Sequence, residues 1–249
     1  MALRTKTALI TGGSKRIGKA IVSDLVANGF GVVFHYADDD DCAQRLVEEL
    51  GGEIYALKAD LRDGDAARSL FKEAQQLLGP ISLLVNNASI FKPDSAKAFD
   101  EELFDDHFAI HVKTPAILSE CMASQENLEH GLVVNMIDQR VLRPNPRFFS
   151  YTLSKSALWT ATQTMAQQFA PRIRVNAIGP GPTLANERQN ADDFQQQIDA
   201  LPLEKGPGLE EFGVTIRYLY DTPSITGQMI ALDGGQHLIW QTPDTIGQE

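Results

Sequence analysis

The start of this chain leaves few folds open. Thr7-Ala8-Leu9-Ile10 is an apolar run of strand length. Thr11-Gly12-Gly13-Ser14-Lys15-Arg16-Ile17-Gly18 follows as a glycine-bearing turn. Lys19 to Asn28 then places Ala20, Ile21, Leu25 and Val26 on the inner face of a helix that stops at Gly29. Gly31 to Tyr36 is a second strand. In such a strand–turn–helix–strand unit, the backbone N–H groups of the turn and the helix N-terminus hold a pyrophosphate. The plainer reading is a turn that only closes a strand–helix corner.

The alternation continues to the end. Ile54 to Lys58 reads as a strand ending at Asp60-Leu61, and Ala66 to Leu78 as a helix. Ile81 to Val85 reads as a strand ending at Asn86-Asn87-Ala88-Ser89, and Phe104 to Met122 as one long helix. Leu132–Ile137, Ile173–Ile178 and Gln228–Leu232 are strands; Ser154–Phe169 and Leu209–Tyr220 are helices. Repeated βα units predict an α/β fold with a parallel sheet covered by helices on both faces. Nothing reads as a linker, so a single domain over residues 1–249 is expected. Residues 185–208, rich in Asn, Gln and Asp from Ala185 to Leu203, read as a mobile lid over a substrate, and 236–249 as a C-terminal tail. The acidic run Asp38 to Asp41 suits a helix start.

The formal net charge of −11, with no long basic run, argues against nucleic acid or anionic membrane as partner. Cys42 and Cys121 are too few for a disulfide framework or a cysteine metal site. His35, His107, His130 and His237 are too scattered for metal ligation, so no metal is expected. The chain enters its first strand after six residues without a signal-peptide core, and no apolar run approaches membrane-spanning length. A cytoplasmic setting is expected.

Tyr151 and Lys155 stand four apart, on one face of a helix. A lysine ammonium beside a phenol favours the phenolate, and a tyrosine lowered in this way can pass a proton near neutral pH. Tyr-x-x-x-Lys alone is equally a surface helix pair. It gains weight from Leu132–Ile137, an apolar strand that delivers Asp138 to its C-terminal end, where ligands sit in an open parallel sheet. An aspartate there can hydrogen-bond through its carboxyl and, if protonated, give a proton to a ring nitrogen. Its plainer roles are a helix cap or an ion pair with Arg140 or Arg143.

Five motifs occur in order: Thr11-Gly12-x-x-x-Arg16-x-Gly18, Asn86-Asn87-Ala88, Tyr151-x-x-x-Lys155, Pro180-Gly181 and Asp233-Gly234-Gly235. Through them the chain resembles the short-chain dehydrogenase/reductase family over nearly its whole length. The resemblance implies a single-domain Rossmann fold with a doubly wound, parallel, seven-stranded sheet. It also implies hydride transfer between a nicotinamide cofactor and a carbonyl, an alcohol or an activated double bond. It assigns Tyr151 as proton donor and Lys155 to the nicotinamide ribose. Gly12, Ile17 and Gly18 would line the pyrophosphate, Asp60 and Leu61 the adenine, and Asn87 and Ala88 the adjacent ribose. Ser89, Pro180 and Gly181 complete the implied cofactor site.

Two departures from the family pattern are informative. Asp138 replaces the usual serine thirteen residues before the tyrosine, and Arg16 replaces a glycine in the turn. Both resemble the pterin-reducing branch, the pteridine and dihydromonapterin reductases. Ser89 and Phe91 also match that branch, where the aromatic ring stacks on the pterin, as do His111-Val112 and Leu232–Leu238. Arg16, Ser89, Phe91, Asp138 and Tyr151 are thus expected to face the substrate, with Asp138, Tyr151 and Lys155 as the proton relay. Phe91 has a plainer reading as loop packing. His111 stands where many members have a proton-relaying asparagine, and is equally a helix histidine bonded to a backbone carbonyl. Trp159 reads as packing.

NADPH is expected rather than NADH, because Lys15, Arg16, His35 and Tyr36 resemble the set that meets the 2′-phosphate. Asp38 stands where an acid often binds the ribose of NAD, but the run Asp38–Asp41 is expected to turn away as a helix start. The expected substrate is a pterin. The alternatives are a reductase or dehydrogenase of another small carbonyl or alcohol, and an NAD(P)-binding sensor without turnover. Ile117, Leu118, Leu158, Trp159 and Met165 put apolar surface on more than one helix face. With the family resemblance they imply a homotetramer, in which Leu238-Ile239-Trp240 would close a neighbour's site.

Overall fold

The computed structural model describes residues 6–185 and 190–240. Strands β1 (Thr7–Ile10), β2 (Gly31–Tyr36), β3 (Ile54–Lys58), β4 (Leu83–Asn86), β5 (Gly131–Met136), β6 (Ile173–Pro180) and β7 (Met229–Leu232) form one parallel sheet. Their order is β3-β2-β1-β4-β5-β6-β7. The winding direction reverses between β1 and β4, and in an open sheet the crevice above the strand C-termini at that point is the ligand site.

The helices are α1 (Arg16–Ala27), α2 (Asp40–Leu50), α3 (Gly64–Leu78), α4 (Glu101–Phe108), α5 (Thr114–Ala123), α6 (Phe149–Phe169), α7 (Ala191–Asp199) and α8 (Leu209–Asp221). Successive strand residues point to opposite faces, and each face has its own core. Ala8, Ile10, Val32, Phe34 and Val85 pack with Ile21 and Leu25 of α1 and Phe212 and Ile216 of α8. Leu9, Val33, Leu84 and Val133 pack with Leu70 and Phe71 of α3 and Leu118 and Met122 of α5. This is the expected doubly wound α/β fold.

Three of the departures from the expected boundaries bear on the site. Helix α1 begins at Arg16, so its N-terminus lies inside the glycine turn. Helix α6 begins at Phe149, so Tyr151 and Lys155 share it. The long helix expected over Phe104–Met122 is α4, a π-helical turn at Ala109–Lys113, and α5. Pro115 supplies a physical reason: it has no N–H to bond back, and the wider turn before it absorbs the break.

Part of the expected lid is helical, as α7, and 186–189 lie outside the described residues. Of the expected tail, Gln236–Leu238 form a 3₁₀ turn, and 241–249 lie outside the described residues. Leu118 and Leu158, expected at subunit contacts, are buried within the chain itself. Among the described residues no helix is long and apolar enough to cross a membrane.

Candidate active site

The turn after β1 is built around close backbone approach. Gly12 has φ +64°, and a Cβ on it would come within 2.9 Å of the Ala88 Cα. A Cβ on Gly18 would run into the Gly12 carbonyl oxygen. Asn87 fastens this turn to the loop after β4: its Nδ2 donates to the carbonyls of Thr11 and Gly12, both at 2.9 Å. The Thr11 hydroxyl accepts from the N–H groups of Asn87 and Ala88.

The N-terminus of α1 differs from those of α2, α3, α4 and α7. Helices α2, α3, α4 and α7 each have an Asp or Asn cap that accepts from a first-turn N–H, and each has an acid in the first turn. Helix α1 has neither. Its free N–H groups and positive dipole end therefore favour an anion, with Lys15 and Arg16 beside them.

His35, expected in the set that meets the 2′-phosphate, lies behind the turn. It is 3% exposed. Its Nδ1 accepts from the Gly12 N–H at 3.1 Å, which leaves Nε2–H to donate to the Ala59 carbonyl at 3.0 Å. Burial pushes its pKa down, so the ring is neutral and braces the turn from behind. The acidic run does not turn away either. Asp39 caps α2 through the Cys42 N–H and also pairs with Lys15 at 2.5 Å. Tyr36 ends β2 with its ring near Lys58, which pairs with Asp40. Asp60 accepts from the backbone and guanidinium of Arg62, beside the buried Leu61. Pro180 and Gly181 follow at the end of β6, where the Gly181 N–H donates to the Leu232 carbonyl.

The C-terminal end of β5 meets the first turns of α6. There the Tyr151 hydroxyl donates to Asp138 Oδ2 at 2.9 Å. Lys155 lies under the tyrosine ring, 5.7 Å from its centroid, and donates to the Met136 carbonyl at 2.8 Å. The sequence reading had the lysine lowering the tyrosine. In the structure Tyr151 is pushed well above its ordinary value, first by burial and then by the Asp138 carboxylate that its hydroxyl bonds. Burial instead brings Lys155 down to about 8. The arrangement thus keeps a protonated phenol beside a lysine that exchanges its proton near neutral pH.

Both plainer readings of Asp138 are also present. Its Oδ1 accepts from the Arg140 N–H at 2.8 Å, capping the 3₁₀ turn Gln139–Val141, and its Oδ2 pairs with Arg140 Nη1 at 2.9 Å. Arg143 points elsewhere, toward the Gln236 carbonyl. Phe91 stacks on Phe148 at 4.2 Å and meets Tyr151 edge-on at 4.8 Å. It is therefore packed, and packed against Tyr151. Arg16 has φ +53°, and its guanidinium donates to the Leu184 and Ala185 carbonyls, joining the turn to the segment after β6.

His111 lies in the π-helical turn. Its Nε2 accepts from the Ile90 N–H, so its proton is on Nδ1, which faces the Ser154 hydroxyl at 2.8 Å. Ser89 also bonds Nε2, at 2.9 Å. Burial, with Lys155 and His107 nearby, drives its pKa well down, so the ring is neutral. The expected carbonyl partner is thus a backbone N–H instead, and Ser89 is turned toward this ring. Trp159 packs against Ile137, Leu158 and Ala177.

Sequence reading missed Asp94, Ser154 and the site role of Arg140. The Asp94 carboxylate accepts from the Ser150 N–H at 3.1 Å and caps α6, whose own N-cap residue, Phe148, has none to offer. Ser154 links His111 to the Tyr151 carbonyl. The sequence signal for Ser154 was its position three after Tyr151 on the same helix; for Asp94, a contact 56 residues away in sequence, there was no local signal.

A family model for short chain dehydrogenase matches residues 6–196. The 3-oxoacyl-[acyl-carrier-protein] reductase FabG of Staphylococcus epidermidis is 30% identical over 94% of this chain and 99% of its own. Two solved structures are more similar. The FolM alternative dihydrofolate reductase 1 of Brucella canis, complexed with NADP, is 52% identical with a TM-score of 0.92, covering 99% of this chain and 100% of the other. That of Brucella suis, also in complex with NADP, is 54% identical with a TM-score of 0.94, covering 97% and 99%.

Proposed function

The chain belongs to the short-chain dehydrogenase family, and from that membership we propose that it is an NADPH-dependent reductase of a pterin-like substrate. The observation that carries the substrate class is Asp138 at the end of β5, bonded to the Tyr151 hydroxyl, in a chain 52–54% identical to alternative dihydrofolate reductases. A serine at that position would present a hydroxyl to a carbonyl oxygen. A carboxylate presents acceptors, which suit the N–H groups of a pterin ring.

The residues present fit the cofactor. The uncapped N-terminus of α1 would take the pyrophosphate, with Gly12 and Gly18 allowing the approach and Ile17 beside them. Asp60 and Leu61 would flank the adenine, and Asn87 and Ala88 the adjoining ribose. Ser89, Pro180 and Gly181 would border the nicotinamide end. Lys15, which pairs with Asp39 in this structure, would exchange that partner for the 2′-phosphate. Bound there, the cofactor supplies the hydride.

The chain's own residues manage the proton. Tyr151 holds it on its hydroxyl, and Lys155 renews it, having a pKa near that of the medium. Asp138 orients the hydroxyl and faces the substrate, with Phe91 and Arg16 along the walls. His111 and Ser89 set the position of the loop that carries Phe91.

The test is NADPH oxidation with dihydrobiopterin, dihydromonapterin, dihydrofolate and simple ketones and quinones side by side. Faster turnover of the pterins supports the proposal. Faster turnover of ketones would move the function to the second reading, a small-carbonyl reductase, which similarity to the FabG reductase favours.

A further inference from the structure

Arg140 holds more of the site than an ion-pair partner needs to. Its backbone N–H donates to Asp138 Oδ1, and its Nη1 donates to Oδ2, the same oxygen that accepts from Tyr151. The guanidinium carbon lies 5.2 Å from the Phe91 centroid and 5.5 Å from that of Phe148, while the two rings stack 4.2 Å apart. A point at those distances lies beside the stack, at the rim of both rings, and not over the outer face of either. The quadrupole gives little attraction at a rim, so the contact fixes the guanidinium's place more than it stabilises the charge. The Arg140 Nε is buried without a partner, as a pairing optimised for stability alone would not leave it.

We propose that Arg140 is a positioning residue that fixes Asp138 as a hydrogen-bond acceptor, so that the site selects ring substrates bearing an N–H donor over those without one. A carboxylate has about four lone-pair sites. Three are filled here, by two donors of Arg140 and by the Tyr151 hydroxyl. The remaining acceptor, on Oδ1, is the one left for a substrate. A ring N–H satisfies it, whereas a ketone oxygen in its place sets lone pair against lone pair. Specificity of this kind arises because a buried polar group is left unpaired by the wrong ligand. The inference rests on the substrate site proposed above at Tyr151, and it names the group that makes that site selective.

The test uses the NADP⁺-loaded protein and two probes titrated by fluorescence quenching. One is 2-amino-4-oxopteridine, which bears N–H donors; the other is 1,3-dimethyllumazine, a pteridine with none. The wild type is expected to bind the first about tenfold more tightly or better, the scale of one unmet hydrogen bond. Arg140→Met should bring the ratio near one, while NADP⁺ affinity stays within about twofold. Arg140→Lys, which keeps a cation for Asp138, should retain most of the ratio. An unchanged ratio in Arg140→Met with cofactor binding intact would overturn the proposal. So would a ratio near one in the wild type, whatever the variants do. Pteridine binding at the expected ratio without any dihydropterin turnover would sink the reductase reading and leave this one standing. Dihydropterin turnover with a wild-type ratio near one would do the reverse.

Discussion

Asp138 and Tyr151 were legible in the sequence because two simple rules locate them: a strand end in a parallel sheet, and a spacing of four to Lys155 on one helix face. Arg140 was legible only as a possible ion-pair partner, since its reach back to Asp138 depends on the 3₁₀ turn Gln139–Val141, which no periodicity announces. The aspartate yields the sharpest functional test. Asp138→Ser should keep the fold and NADPH binding, yet depress dihydropterin reduction by roughly 10²-fold or more. Small carbonyl substrates should suffer less, because a serine hydroxyl still polarises an oxygen. Tyr151→Phe should depress both. Equal losses on the two substrate classes in Asp138→Ser would make the residue structural. The lysine gives a pH test. Burial brings Lys155 down from 10.5 to about 8, so its ammonium is present below that pH and lost above it. Tyr151 is pushed upward and stays protonated throughout, so kcat/KM for reduction should fall as pH rises through about 8. A profile flat to pH 10 would show that Lys155 does not renew the proton. The same shift acts on stability with the opposite sign. Between about 8 and 10.5 the unfolded chain binds the proton and the folded chain does not, so this group's contribution to stability rises with pH there.

The element that sequence reading described least well is the helix before β5. Its apolar pattern is continuous from Phe104 to Met122, and pattern alone cannot report a change of hydrogen-bond period. Pro115 was the available signal, and it carries a mechanism. The π-helical turn brings His111 inward, 1% exposed, between the loop that carries Phe91 and α6. The imidazole accepts from Ile90 on one side and donates to Ser154 on the other, so it ties Phe91's loop to Tyr151's helix. His111→Ala would strand both partners and leave a cavity. The expected cost is about 2 kcal/mol, or a fall in Tm of roughly 4–8 °C for a chain of this size. Because the ring is neutral and has no free nitrogen for a relay, kcat should fall with a shift in substrate KM and with NADPH affinity unchanged. An unaltered Tm by scanning calorimetry, together with a large loss in kcat alone, would return His111 to the proton relay.

At the scale of the molecule, the parallel sheet, its seven strands and their double winding were readable because each depends on local alternation and on short, right-handed crossovers. Assembly is not local in that sense. Of the apolar residues that the pattern leaves on two helices, Leu118 and Leu158 are drawn into the chain's own cores. Other large apolar residues stay outside, Leu77, Phe99, Leu142 and Leu153 among them, and the most exposed lie elsewhere. Val214 and Tyr218 lie half-exposed on α8, and Leu203, Leu238 and Trp240 are 63–73% exposed around the segments that follow β6 and β7. Scattered apolar residues are ordinary on a surface, but side chains this large gathered on one helix and one tail mark candidate contacts. The homotetramer implied by the family resemblance therefore has surfaces available to it, through α8 and through Leu238–Trp240 rather than through Leu118 and Leu158. Light scattering at micromolar concentration should give four times the chain mass. Val214→Asp combined with Tyr218→Asp should reduce it to dimer or monomer without lowering NADPH affinity, since neither residue lines the crevice between β1 and β4. A monomer in the wild type would remove the tetramer, and with it any role for Trp240 at a neighbour's site.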